Sequence, residues 1–442
     1  MKISKLNIVN HKHLENLDFD FTYPQDFHIE EKRGKPLDKI CFIGQSATGK
    51  TGLLELIYEK AVGVFNISIV NGNVISDPTK ILNGEIEFYL NGGKYSQTEK
   101  EIKYENNKYI YKTRFEGLMC KLIEDIDIKD IFYFKSNLIS DKNLEIFNTN
   151  PLDLNEKFKN ELNNIEEQFQ FKQNYELLFD DKVKPIIWLF QIREILSYRK
   201  KFLQKMSEMM HGGYMHNITK LNSEYLLWAK DNPNVVEDFA IIFNPILEKL
   251  HLEVDLVDTQ FAIPIRNKRT DEIIAIQDTS TGTKGLLLSM LPLFKLDTKD
   301  SIILIDEPER SLYPDLQMEL MEHYQNLAPE AQFIVATHSP FIAASFEPEE
   351  RFILSFDEKG KVVVNRGTSP IGDDPNDMLY NDFGVNYYNK NVQEKFKEYI
   401  QLLDKVKIED NKELKKKYIL EASKIGNHYN FILDEKNQER LK

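Results

Sequence analysis

Alternating and helical spacings of apolar residues follow one another along this chain in an order that predicts a mixed α/β protein. Lys2–Phe21 holds two alternating segments on either side of a polar turn, a hairpin or a pair of edge strands. Ile40–Ile43 is a short apolar run, followed by a loop and then by Leu53, Leu54, Leu56 and Ile57 at helical spacing. Between Gly84 and Phe115 the segments EIEFYL, KEIKYE and KYIYKTRF alternate and are broken by NGG and ENN, which predicts an antiparallel β-meander. Asp130–Phe134 is a further apolar run, placed as a return to the main sheet.

From about Asp153 to Leu252 the pattern is mostly helical, interrupted at Pro185 and at His211-Gly212-Gly213. Two strand-like runs follow, Val254–Arg266 and Asp271–Asp278, then a Ser/Thr/Gly loop and the apolar helical run Leu286–Phe294. Ile302, Ile303, Leu304 and Ile305 run straight into Asp306 and Glu307. A short, wholly apolar run suits a strand buried on both faces of a parallel sheet. A helix over Leu316–Leu327 precedes an apolar strand ending in Thr337-His338-Ser339. Arg351–Asn365 reads as a hairpin turning at Lys359-Gly360, and charged helices run from Asn391 onward. The chain thus divides into an N-terminal lobe (1–150), a helical insertion (151–250), a C-terminal lobe (251–390) and terminal helices (391–442). Those last helices are either a docking or oligomerisation element or a helix pair packed on the rest.

Composition narrows the class. A net charge of −14 argues against a surface that coats nucleic acid broadly, though it leaves room for a local basic groove. Arg199-Lys200-Lys201 and Lys415-Lys416-Lys417 read as solvated helix faces. No apolar run is long enough to cross a bilayer and Met1–Phe19 has no signal-peptide core, so a cytoplasmic protein is expected. Cys41 and Cys120 lack metal-ligand spacing, and Cys41 reads as a small buried hydrophobe. Trp188 and Trp228 read as core, His211 and His216 as ordinary loop histidines.

The chemistry concentrates in three places. Gly44-Gln45-Ser46-Ala47-Thr48-Gly49-Lys50-Thr51 matches G-x-x-x-x-G-K-[ST] in full, between a strand and a helix. Backbone amides and the helix N-terminus there would cradle phosphates, Lys50 would neutralise their oxygens and the Thr51 hydroxyl would bind Mg2+. Ser280-Thr281-Gly282-Thr283-Lys284, entering an apolar helix, is either a plain N-cap or a second anion-receiving helix terminus. Asp306 and Glu307 end a strand where open α/β sheets bind ligands, and burying adjacent acids is costly unless a cation or proton chemistry uses them.

In this order, GQSATGKT, STGTKG, ILIDEPERSLYPD and ATHSP resemble the P-loop, signature, Walker B with D-loop, and switch histidine of ABC-type ATPases. The soluble SMC, RecF and OLD-like branch is most similar. The opening I-x-x-L-x-I-x-N and the S-T-G-T-K signature resemble AAA-annotated ATPases of prokaryotic antiviral systems such as PARIS and Septu. The resemblance covers about 1–140 and 250–370 and implies a P-loop head, a mostly parallel sheet with an antiparallel β-subdomain, that binds ATP and Mg2+. It implies that Lys50 and Thr51 hold phosphates and Mg2+, that Asp306 completes the magnesium shell and that Glu307 polarises the attacking water. His338 would contact the γ-phosphate, Ser280 and Gly282 would clasp the γ-phosphate of an opposite subunit, and Ser311–Asp315 would link the sites. A homodimer or larger even-numbered homo-oligomer follows. The family's Gln after the strand before the helical region is missing from FYFKSNLI, leaving Ser136 or Asn137 in its place.

No Toprim-like or H-N-H segment is present in the sequence, so the expected role is a sensor or scaffold ATPase that controls a separate effector, such as a nuclease, with no nuclease of its own. The alternatives are a RecF-like repair ATPase binding DNA directly and, more remotely, a transporter nucleotide-binding subunit.

Overall fold

The computed structural model describes residues 1–75, 81–90, 93–112, 119–123, 131–139, 158–170, 176–213, 216–258, 261, 263–385, 389–429 and 431. Asn91-Gly92 of the first expected meander turn, 113–115 of its last strand, Asp130, 151–157 and 171–175 of the insertion, Thr259-Gln260 and 432–442 lie outside these residues.

A seven-stranded sheet organises the molecule. Its strands lie in the order Glu176–Phe179, Ile131–Phe134, Ile302–Asp306, Gln332–Ala336, Lys39–Gly44, Arg351–Phe356 and Val362–Arg366. All pair in parallel except the last, which closes the predicted hairpin. The central strands are apolar along their middles, with polar residues at their ends, as suits strands covered on both faces. Ile303 and Ile305 enter one core with Cys41, Ile43, Phe132 and Trp188, while Ile302 and Leu304 enter another with Ile40, Phe42 and Tyr133. The first core lies under helices, including Pro185–His211 and Val235–Glu248 of the insertion. The second holds the helix Lys50–Phe65 and a nine-stranded sheet.

That second sheet contains the predicted meander: Gly84–Leu90, Gly93–Thr98, Glu101–Tyr104 and Asn107–Lys112 pair antiparallel in sequence. The opening hairpin, Lys2–His11 with Leu14–Asp20, completes one end. Only its second strand is an edge; the first pairs on both sides. Ser68–Val70, Asn73–Ile75 and Cys120–Lys121 extend the other end. They are too short to carry a periodic signal.

Other local readings change. Glu176–Phe179, inside the stretch read as helical, is an edge strand parallel to Ile131–Phe134; four residues of ELLF fit either period. Pro185 stands at the first position of the helix Pro185–His211, where its missing N–H costs nothing. Arg199 is not solvated: it is 5% exposed and donates to the Phe261 and Asp255 carbonyls, while Lys200 and Lys201 face solvent. Of the two strand-like runs before the signature, the second keeps only Ile273–Ile274 as strand before a 3-10 turn, Ile276–Asp278. Trp188 is fully buried, Trp228 half-buried against Tyr198 and Phe202, and Cys41 buried.

The helices Lys390–Ile408 and Lys412–Tyr429 pack on each other around Phe396, Tyr399, Leu402 and Ala422. That cluster is separate from both head cores. Among the described residues, no helix is long and apolar enough to cross a membrane.

Candidate nucleotide site

Three adjacent parallel strands, Lys39–Gly44, Gln332–Ala336 and Ile302–Asp306, bring their carboxyl ends to one edge of the sheet. After Gly44 the chain turns through a loop into the helix starting at Lys50. The turn needs its glycines. A Cβ on Gly44 (φ +131°) would sit 1.9 Å from the Leu354 carbonyl oxygen, and Gly49 caps the helix at φ +94°. Ala47 also has a left-handed backbone, φ +66°. Lys50 Nζ folds back and donates to the Gly44 and Gln45 carbonyls, 2.9 Å each.

Opposite the helix N-terminus, the Thr51 hydroxyl lies 3.1 Å from both carboxylate oxygens of Asp306. Asp306 is 6% exposed. Burial pushes its carboxyl up to about 6, the Thr51 hydrogen bond opposing this and the neighbouring carboxylates of Glu307, Glu309 and Glu55 adding to it. Ligand-free protein therefore holds an anion in a place that disfavours one, which suits a site built for a cation. The folded-state pKa lies above the ordinary aspartate value, so the penalty is full above about pH 6 and fades as pH falls toward 3.8. Asp306→Asn keeps an oxygen to accept from Thr51 and removes the charge. It should stabilise the protein at pH 7, measured without nucleotide, by on the order of 2 kcal/mol. Thermal melts of the two proteins at pH 7 check this; a lower Tm for the variant would contradict it.

Glu307 begins the turn that follows, with φ +51°, and its N–H donates to the Ala336 carbonyl at 2.8 Å. A left-handed backbone is uncommon at a non-glycine residue, and here it turns the chain out of the acid strand. His338 lies just past the neighbouring strand. Desolvation of the ring and the Lys50 charge lower its pKa, which favours the neutral imidazole. Glu309 was not anticipated from the sequence: its Oε1 accepts the His338 N–H at 2.7 Å.

Ser280 caps the helix Thr281–Lys295, its hydroxyl accepting from the Thr283 N–H at 3.1 Å. Gly282 is pressed against the turn after the acid strand; a Cβ there would meet the Ser311 carbonyl oxygen at 2.3 Å. Ser311 itself has φ +63°. Thr281 and Gly282 line a cleft of about 250 Å³ together with Asp306, Glu307 and Ser136. The Ser136 carbonyl accepts from Arg310 at 2.6 Å, the Asn137 amide donates to Asp181 at 2.9 Å, and Lys135 meets Glu55 at 3.1 Å. The tip of the opening hairpin also reaches the P-loop, with His13 and Leu14 against Gly49. No spacing in the sequence announces that contact, which joins two strands through tertiary packing.

The glycine loop, the acid strand one strand removed from it and the histidine strand between them thus meet at one edge of a parallel sheet, where open α/β sheets bind ligands. Residues 213–343 match the family described as AAA ATPase domain. Over 130 residues the chain is 27% identical to the Retron Vc95 probable ATPase of Vibrio cholerae serotype O1 biovar El Tor, covering 29% of this chain and 25% of that protein. Over 72 residues it is 32% identical to the Septu protein PtuA of Bacillus thuringiensis, covering 16% and 18%. The chain thus matches a quarter or less of the length of these relatives. Among solved structures, the SMC head domain from Thermotoga maritima aligns over 84% of this chain and 100% of that one, with 12% identity and a TM-score of 0.37. An SmcHead bound to the C-winged helix domain of ScpA aligns over 83% and 97%, with 12% identity and a TM-score of 0.38.

Proposed function

We propose that this chain hydrolyses Mg-ATP at composite sites between two copies of itself, and that the ATP-bound assembly controls a separate effector, a nuclease in the simplest case, in antiviral defence. The observation that carries the ATPase part is the Thr51–Asp306 pair at the mouth of a glycine-built loop, with Lys50 held inside it. The resemblance to Septu and retron ATPases supports the defence role.

The residues present suit the substrate. Backbone N–H groups of Gly49, Lys50 and Thr51 at the helix N-terminus would receive phosphate oxygens, and Lys50 would exchange its two carbonyl partners for them. Thr51 and Asp306 would hold Mg2+, which supplies charge neutralisation on the phosphates. Glu307 would orient the attacking water and His338, neutral, would contact the terminal phosphate. Ser280 and Gly282 would complete the site of the opposite copy. The cleft that Thr281 and Gly282 share with Asp306 and Glu307 is consistent with a signature able to sense its own acid strand.

Trans assembly predicts a specific mixing result. Ser280→Arg and Lys50→Ala are each inactive, but a mixed dimer keeps one site with an intact P-loop and an intact signature. An equal mixture should regain roughly a quarter of wild-type turnover, from random pairing in a two-fold homodimer. Steady-state ATPase assays of the singles and the mixture read this, and a mixture as inactive as its parts sinks the composite site.

A further inference from the structure

The turn after the acid strand carries a carboxylate that the reading above does not use. Glu309 sits between two residues of left-handed backbone, Glu307 and Ser311. Its Oε1 accepts the His338 N–H at 2.7 Å. Its Oε2 is enclosed by protein, and the His338 amide and the Thr337 hydroxyl oppose the upward pull of burial on this carboxyl's pKa. Burial is the largest influence on this carboxyl and raises its pKa, so its hydrogen bonds offset the cost of holding it here only in part. The bond to the His338 amide is specific. It ties the turn bearing Glu307 to the loop bearing His338, one step beyond the backbone bond from the Glu307 N–H to Ala336. Two strands whose pairing ends at Asp306 and Ala336 are thereby joined again beyond the last ladder pair. On the other side of the same turn, Arg310 binds the Ser136 carbonyl, so the turn is anchored at both flanks.

We propose that Glu309 is a positioning residue for hydrolysis: by accepting the His338 amide it fixes the histidine ring relative to Glu307, without itself touching nucleotide. This inference rests on the ATPase reading of the site. A displacement of about 1 Å in such a group lowers turnover by up to about a hundredfold while leaving binding intact. The acceptor oxygen matters for this role and the charge does not.

The test compares Glu309→Ala and Glu309→Gln with the wild type in ATPase kinetics, with Lys50→Ala as the inactive control. Glu309→Gln keeps an oxygen to accept from His338 and should retain turnover within about threefold, whereas Glu309→Ala should lose about ten- to a hundredfold in kcat with KM within about twofold. Glu309→Ala combined with His338→Ala should be no slower than His338→Ala alone, because both act through one ring. Amide exchange in a peptide spanning 337–339 should rise in Glu309→Ala and not in Glu309→Gln. If Glu309→Ala does not fold, Glu309→Asp, one methylene too short for the same bond, takes its place in every comparison. Additive effects with His338→Ala, equal loss in Gln and Ala variants, or unchanged turnover in Glu309→Ala would each overturn the inference and leave the ATPase reading standing. Wild-type turnover equal to that of Lys50→Ala would overturn the ATPase reading and the inference together.

Discussion

Lys50→Ala should lose nucleotide binding and turnover together if the proposed ATPase site is right. Lys50 is 7% exposed, and its ammonium spans the P-loop to the Gly44 and Gln45 carbonyls. Burial lowers its pKa, and the carboxylates of Asp306, Glu307 and Glu309 oppose this, so the charge is held desolvated at the mouth of the loop. Phosphate oxygens entering the loop would meet this cation already desolvated, where a charge-assisted contact is strongest. Without it, hydrolysis should fall by roughly a hundred- to a thousandfold, the size seen when one preorganised group is deleted from a site of this kind. The rise in Tm that Mg-ATP gives the wild type should vanish as well, because stabilisation by a ligand scales with its affinity. The fold should persist, since the helix beginning at Lys50 is held by Leu53, Leu54 and Ile57 in the core. Turnover and Tm shift measured on the same preparation decide it, and unchanged turnover would remove the P-loop from the chemistry.

Glu307→Gln separates binding from hydrolysis. The variant is isosteric, so the left-handed backbone at this position and the N–H bond to Ala336 are kept. The variant loses the carboxylate charge that acts on Asp306 and Lys50, and with it the ability to draw a proton from water. Turnover should fall by roughly a hundred- to ten-thousandfold, the range for removing a general base, with ATP affinity retained. The variant is therefore a trap for the ATP-bound assembly. Purified with Mg-ATP from cells that carry its neighbouring genes, it should hold a stoichiometric protein partner on a multimeric ATPase. Nuclease-sensitive DNA without a protein partner would favour the RecF-like alternative, and a dimer without either would remove the effector from the proposal. Hydrolysis at the wild-type rate would show that Glu307 does not act on water.

Much of this was readable in the residues because the signals are local. The P-loop is eight consecutive residues whose glycines answer to the backbone beside them, and the acid strand announces itself by four aliphatic residues ending in two carboxylates. The meander and the closing hairpin were legible from alternation and turn residues for the same reason. Elements of two to four residues were not: Ser68–Val70, Asn73–Ile75 and Glu176–Phe179 are too short to express a period, and become strands because a neighbouring edge supplies their hydrogen bonds. Arg199 shows the same limit in a side chain. Its place in a basic triplet suggested solvent, yet carbonyls brought by Asp255 and Phe261 make burial tolerable.

The sequence by itself determined where the candidate chemistry lies, a G-x-x-x-x-G-K-T loop between strand and helix and a strand ending in acids, since each of these signals sits in contiguous residues. Only the tertiary structure decided which strand stands between them, that Thr51 meets Asp306 across 255 positions, that Gly282 rests on the turn after the acid strand, and that Glu309 holds the His338 backbone. These are contacts between segments far apart in the chain. Their partners are chosen by sheet order and by the burial of apolar faces, neither of which leaves a mark at any single position.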